Sequence, residues 1–187
     1  MVMHDYFHSD DKLLISFTLE GDQKAFAEIV RRYEKMVART VKSMIGDIQQ
    51  ADDIGQETFI RFYRSLADFR GDAKLSTYLQ RIAINQSLNE IKRKGRFVSL
   101  FYQSDNDDEV SIDIPSDSME ASTDIKEIVN MAVKKLSPEF RVVVVLRLIQ
   151  GYSTKETAEI LDLPFGTVLS RLSRAKEQLK EIIEELV

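Results

Sequence analysis

Residues 51–94 read ADDIGQETFIRFYRSLADFRGDAKLSTYLQRIAINQSLNEIKRK, two helical patterns on either side of one short loop that contains Gly71. In both, apolar positions recur at the three- and four-residue intervals of an amphipathic helix. The first pattern opens on Asp52, Asp53 and Glu57 and runs into Phe59, Phe62 and Tyr63. The second opens on Ser76, Thr77 and Tyr78 and closes on Lys92, Arg93 and Lys94. A hairpin that served only as core would need neither the acidic start nor the basic finish. The stretch reads as one helix face for a protein partner, then a loop and helix for single-stranded nucleic acid.

Toward the N-terminus, Phe26, Ile29, Val30, Tyr33, Val37, Val41 and Met44 repeat the helical spacing. Asp22 is a good N-cap for that helix, and Gly46-Asp47 breaks it. A shorter helix is expected over 10–20, with Leu13, Leu14 and Phe17 on one side. The two patterns of the opening stretch extend to helices near 50–67 and 75–94. Ile54, Phe59, Phe62, Tyr63 and Leu66 are expected to face inward or nearly inward from the first of these. Four such helices make one compact lobe.

Toward the C-terminus, the helical periodicity is lost from Phe97 to Thr123. Residues 103–124 carry eight acidic residues and no basic one, with Pro115 among them. That composition predicts a flexible, self-repelling linker over 97–123, spanning at most roughly 90 Å. The net charge of −5 is therefore concentrated in one segment, and the flanking lobes are slightly basic. Weakly basic lobes predict weak unaided binding to DNA, because phosphate neutralisation supplies most non-specific affinity.

A second lobe is expected from Asp124. Ile125, Ile128, Val129, Ala132, Val133 and Leu136 form one helix face, and Ser137-Pro138 starts a new helix. Val142 to Ile149 is β-branched, so a strand competes there; the flanking caps favour a buried helix. Ser153 and Glu156 form a capping box. A tight turn over 162–166 leads to a last helix from Thr167 to about Glu185. A short capped helix, a tight turn and a longer helix describe a helix-turn-helix. The second helix offers Thr167, Ser170, Arg171, Arg174 and Gln178 away from its apolar stripe; Arg suits guanine and phosphate, Ser and Thr either base or phosphate. The fold class is all-α: a four-helix domain over 1–96 and a helix-turn-helix domain over 124–187, joined by the acidic linker.

Other chemistries find no support. The absence of Cys removes disulfides, thiol redox sensing and Cys-based zinc sites. His4 and His8 sit near the N-terminus, and Asp52, Asp53 and Glu57 lack the loop of an oxygen-ligand metal site. No nucleophile elbow or phosphate-binding Gly loop is present, so no enzyme, metal, cofactor or small-molecule substrate is expected. No apolar run reaches the roughly 20 residues of a membrane span, and the acidic N-terminus lacks a signal core. Membrane insertion and export are not expected; the expected location is the cytoplasm.

Taken in order, these motifs give a resemblance. The chain resembles the extracytoplasmic-function sigma factors of bacterial RNA polymerase, small two-domain members of the sigma-70 family. GDQKAFAEIVRRY, DDIGQETFIRFYRSL and FRGDAKLSTYLQRIAINQSLNEIKRK resemble the family's first domain. LSPEFRVVVVLRLIQGYSTKETAEILDLPFGTVLSRLSRAKEQLK resembles its second. The resemblance implies an initiation factor that brings core RNA polymerase to two-part promoters. It implies polymerase contact at Asp52, Asp53, Gln56 and Glu57. It implies minus-ten DNA contact, including a flipped single-stranded base, at Arg70, Gly71, Asp72, Ser76, Thr77, Tyr78, Asn85, Lys92, Arg93 and Lys94, with Arg96 beside them. It implies minus-thirty-five contact with double-stranded DNA at Thr167, Ser170, Arg171 and Arg174. An inhibitory anti-sigma factor is a further implied partner. Tyr78 stands where the family usually has Trp, Leu169 where Arg or Lys is common, and Ser173 where a larger residue is common. Two other classes of function remain open on the residues: a regulator using only the helix-turn-helix, and a sigma mimic that titrates an inhibitor.

Overall fold

The computed structural model describes residues 5–102 and 125–186, all of whose regular elements are helical. The first lobe is built from α1 (Asp11–Leu19), α2 (Gln23–Ile45), α3 (Ile48–Arg64) and α4 (Leu75–Tyr102), with a 3-10 turn at Leu66–Asp68. The second holds α5 (Ile125–Lys135), α6 (Pro138–Val144), a π-helical turn at Val145–Ile149, α7 (Thr154–Leu161) and α8 (Phe165–Leu186). The acidic segment 103–124 lies outside the described residues.

The Asp22 cap, the Gly46 stop and the Ser153–Glu156 box are where the sequence puts them, Asp10 and Asp47 are further caps, and Ser137 precedes α6 without a side-chain cap bond. Asp10, Asp22 and Asp47 each accept backbone N–H groups of the helix they precede, from Leu13, from Lys24 and Ala25, and from Gln50. Gly46 closes α2 at φ +77, a conformation that L side chains resist. Pro138 opens α6. Ser153 and Glu156 satisfy each other's backbone donors at the start of α7.

Four expectations need correction. The fourth helix runs on to Tyr102 instead of ending near Lys94. Gly95 costs a helix only about 1 kcal/mol, and no proline follows until Pro115. Tyr63 is exposed, not inward: it lies one position past Phe62, whose side chain is fully buried, and so turns to the outer face of α3. In α1, Ile15 is buried and Leu13 is exposed. The last helix starts at Phe165, because Pro164 suits a helix start and the Thr167 and Val168 N–H groups both bond to its carbonyl.

The β-branched stretch is helical. Val142, Val143, Val144, Val145 and Leu146 are all buried, so the run from the end of α6 into the π-turn is apolar on every side. Only a helix enclosed by others tolerates that. α6 packs on α8, α5 and α4, and the Gln150 N–H reaches back to the Val145 carbonyl at 2.8 Å to close the π-turn.

Two clusters form the interior. Leu14, Ile29, Val37, Phe62 and Leu79 centre the first. Leu136, Val143, Leu146 and Val168 centre the second, which also takes in Met44 and Ile84 from the first lobe.

Candidate nucleic-acid and protein interfaces

On α3 the inner face is fixed by Ala51, Thr58, Phe59 and Phe62. The 3.6-residue period then turns Asp52, Asp53 and Gln56 to solvent. Glu57 is half-buried and paired with Arg61 at 2.8 Å. The exposed strip continues through Ile60 (44% exposed) and Tyr63 (51% exposed). Tyr63 leans edge-on against Phe26, their ring centroids 4.9 Å apart. A shallow apolar groove of about 510 Å³ lies beside the acidic strip, lined by Phe26, Phe59, Ile60 and Tyr63. The acidic face therefore has an apolar border, which the sequence reading missed by turning Tyr63 inward.

A second surface lies between the end of α3 and the middle of α4. Arg70, Gly71 and Asp72 form an exposed loop tip, with Gly71 at φ +75 in open space. Ser76 and Thr77 follow half-buried in the first turn of α4. Tyr78 is not a free platform. Its ring packs between Phe62 and Phe69, at 6.1 and 5.0 Å, and its hydroxyl donates to Ser65 Oγ at 3.0 Å. Further along, Asn85, Gln86 and Asn89 line a groove of about 550 Å³ together with Tyr78, Arg61, Arg64 and Ser65. Gln86 Nε2 is buried there without a partner, a donor in need of an acceptor. Arg61, Arg64, Gln86 and Asn89 are additions to the residues read from sequence. The amide spacing 85, 86 and 89 was the available signal for the last two.

Lys92, Arg93 and Lys94 are exposed at the far end of the surface. Arg93 is the least free, since Glu90 grips it at 2.7 and 2.9 Å. The same guanidinium holds the Glu90 carboxyl below the usual carboxylate range.

The third surface is the helix-turn-helix. Asp162 takes the left-handed conformation at φ 53 to end α7, a role that Asp and Asn fill more readily than bulkier residues. α8 leaves the turn with Val168, Leu172 and Ala175 buried. Ser170 and Arg174 stand exposed, and Thr167 is half-buried. The Ser170 hydroxyl donates to the Thr167 carbonyl at 3.0 Å. Arg171 points elsewhere. It pairs with Glu139 at 3.5 Å and lines a groove between the lobes of about 660 Å³ with Arg81, Asn85 and Lys92. The structure thus brings Asn85 and Lys92 to Arg171, and leaves Asp52, Asp53, Ser170 and Arg174 on outward faces.

Comparison with known proteins gives consistent matches. Sigma-70 region 2 matches residues 29–97, and Sigma-70 region 4 matches residues 126–179. The chain is 34% identical over 189 residues to the ECF RNA polymerase sigma-E factor of Escherichia coli K12, covering 95% of this chain and 96% of that one. It is 31% identical over 186 residues to the RNA polymerase sigma-H factor of Pseudomonas aeruginosa, covering 95% of each. Among solved structures, CnrH in complex with the cytosolic domain of CnrY aligns with a TM-score of 0.66 at 25% identity, covering 94% of this chain and 97% of that one. The sigma factor RpoE of Bartonella quintana, in complex with the anti-sigma factor NepR, shares the fold at TM-score 0.66 and 20% identity, covering 86% and 98%.

Proposed function

The chain belongs to the extracytoplasmic-function group of the sigma-70 family of promoter-recognition initiation factors, and we propose that it divides that work between its two lobes. Residues 1–96 bind core RNA polymerase and read and melt the minus-ten element. Residues 124–187 read the minus-thirty-five element, and 97–123 connect the two. The observation that carries this reading is the set of three outward surfaces inside the matched regions: an acidic helix face, an amide- and guanidinium-lined groove, and an open recognition helix.

Each surface has a physical role in this reading. Asp52, Asp53 and Gln56 meet basic residues of the polymerase, which gives steering and register more than raw affinity. Glu57 orients Arg61 at the border between this face and the groove. The groove takes the melted strand. Asn85, Gln86 and Asn89 offer amide donors and acceptors to base edges, while Arg61 and Arg64 neutralise phosphate. Flipping a base costs a few kcal/mol, which such contacts must offset. Arg70, Gly71, Asp72, Ser76 and Thr77 close one end of the groove. Tyr78 shapes its wall through Phe62 and Phe69. Lys92, Lys94 and, less freely, Arg93 hold phosphates upstream. In the second lobe, Thr167, Ser170 and Arg174 face the duplex, and Arg171 reaches it on leaving Glu139.

The factor performs no covalent chemistry of its own and works in the cytoplasm with the polymerase. No helix among the described residues is long and apolar enough to cross a membrane. Because relatives of the same fold are solved with NepR and with CnrY, we take an anti-sigma factor as the inhibitory partner.

The test is co-purification with bacterial core RNA polymerase, comparing wild type with Asp52→Arg plus Asp53→Arg. Both residues are exposed, so the variant is expected to fold, which its circular dichroism checks. Binding by wild type and its loss in the double variant is the expected result. A folded wild-type chain that does not bind core enzyme would end this reading. Binding that survives the charge reversal would move the docking face away from α3.

A further inference from the structure

The recognition helix carries an apolar pair where it would enter DNA. Leu169 is the fifth residue of α8 and 46% exposed; Phe165, one turn earlier, is 53% exposed. Leu169 stands clear of the buried stripe of Val168, Leu172 and Ala175, and Phe165 lies in line with Leu172 but is exposed at the helix start. The neighbours of Leu169 on that face are small: Gly166 one turn before, Ser170 beside it, Ser173 one turn after. A Cβ built on Gly166 would meet nothing within 4 Å. Leu169 is therefore the projecting side chain on a face that can approach base edges closely. Arg174 flanks that face from one side, continuous with the surface assigned above to promoter DNA.

We propose that Leu169, backed by Phe165, is a specificity-determining residue that selects thymine in the major groove of the minus-thirty-five element. This rests on the reading of α8 as the helix that enters that groove. In a helix-turn-helix, the N-terminal residues of the second helix contact base edges. A leucine there can neither donate nor accept a hydrogen bond. Set against guanine or cytosine, it would strip water from N7, O6 or N4 and give nothing back. Thymine alone offers a methyl group in the major groove. The contact buries apolar surface on both partners, a match that no other base edge offers. The hydroxyl of neighbouring Ser170 is engaged by the Thr167 carbonyl, so it does not supply the missing donor.

The test removes that methyl and nothing else. Holoenzyme is assembled from the full chain and core polymerase, and its minus-thirty-five preference is selected from randomised duplex DNA. Each thymine of the selected element is then replaced singly by deoxyuridine, and binding is measured by competition. Wild type is expected to weaken about fourfold at one or two positions, the scale of one buried methyl-sized group. Leu169→Ala is expected to weaken on the thymine duplex and to lose no more on the uridine one. Leu169→Arg is expected to shift the selected base at that position to guanine, through bidentate contacts to O6 and N7. Uridine without effect at every position, or a Leu169→Arg variant that selects the same element, would overturn the proposal. Arg174→Ala is the control for the underlying reading. If it weakens minus-thirty-five-dependent binding while uridine does nothing, α8 still reads the element and only the methyl contact is wrong. If neither Arg174→Ala nor a scrambled element matters, α8 is not the reading helix and the proposal falls with it.

Discussion

In the first lobe, Leu14, Ile29, Val37, Phe62 and Leu79 belong to a hydrophobic cluster drawn from that lobe. The cluster around Leu136, Val143, Leu146 and Val168 is completed by Met44 of α2 and Ile84 of α4, with Leu88 and Ile91 packed against it. The second lobe is shorter than the roughly 70–80 residues below which one core rarely suffices. It makes up the difference by sharing core with its neighbour. The polar contacts across the boundary include arginines placed on carbonyls of the other lobe, and Gln80 Nε2 donates to the Tyr152 hydroxyl at 3.0 Å. Arg39 donates to the Ile149 carbonyl at 2.6 Å, and Arg81 to the Glu159 carbonyl at 2.6 and 3.1 Å. From the other side, Arg141 donates to the Met44 carbonyl at 3.0 Å. These carbonyls sit near the C-terminal ends of helical segments, where cations are favoured. Parting the lobes uncovers Met44 and Ile84 and takes one acceptor from Arg141. It also takes acceptors from Arg39, Gln80 and Arg81 of the first lobe, whose own cluster around Phe62 stays closed.

The largest expected effect breaks the self-contained side. Phe62 is fully buried and stacks near Phe26 and Tyr78. Phe62→Ala should destabilise the first lobe by about 3–5 kcal/mol. Denaturant unfolding followed by circular dichroism measures it. A loss below about 1 kcal/mol would show that the site collapses around the gap.

The next effect sharpens the borrowed side. Arg141 is 7% exposed and donates to the Met44, Leu136 and Lys134 carbonyls, tying the ends of α2 and α5 together. Burial pushes its guanidinium down to about 10, still a cation at neutral pH. Arg141→Ala leaves those carbonyls without their donor, at about 2–4 kcal/mol for the set. Unlike Phe62→Ala, it should also raise the radius of gyration in small-angle scattering, because the boundary loses a tie. An unchanged radius would mean that Met44 and Ile84 hold the lobes together alone.

This boundary is the part of the fold that the sequence conceals. Caps and helix faces are local, so Asp22, Gly46 and the Ser153–Glu156 box could be read from spacing alone. The helix-turn-helix and the acidic α3 face followed from the same logic. Arg39, Arg81 and Arg141 could not be read, because a helical arginine looks alike whether it meets water, phosphate or a distant carbonyl. Arg171 shows the same limit: its type and position suit DNA, and its partner here is Glu139. The groove of Asn85, Gln86 and Asn89 depends on how α3 crosses α4, a tertiary fact that leaves only three amides in the sequence. Tyr63 was misplaced because aromatic runs invite an inward reading, while one step of 100° decides the face.

The smallest effect concerns charge, where the lobes differ again. Glu28 on α2 accepts from Arg31 Nε at 2.7 Å and from Arg32 Nε at 2.8 Å, with its side chain only 10% exposed. Arg31 first, then Arg32, hold its carboxyl at about 2, against 4.5 for an ordinary glutamate. Arg32 in turn donates to the carbonyls of Tyr6, Phe7 and Ser9, so the pair also fastens the N-terminal arm. The second lobe's Arg171–Glu139 pair is more exposed and longer, at 3.5 Å, and pairs of that kind contribute little. A carboxyl whose folded-state value is depressed adds stability above its unfolded value and loses it as pH falls toward the folded one. Acid should therefore weaken the first lobe between pH 4.5 and about 2 and, through this pair, release the arm. Glu28→Gln keeps the shape and removes the titrating group, so its unfolding free energy should fall less steeply across that window. An acid titration monitored by circular dichroism at fixed denaturant compares the two slopes. Equal slopes would assign the acid sensitivity to other carboxyls, and the charge contrast between the lobes would then lose its basis.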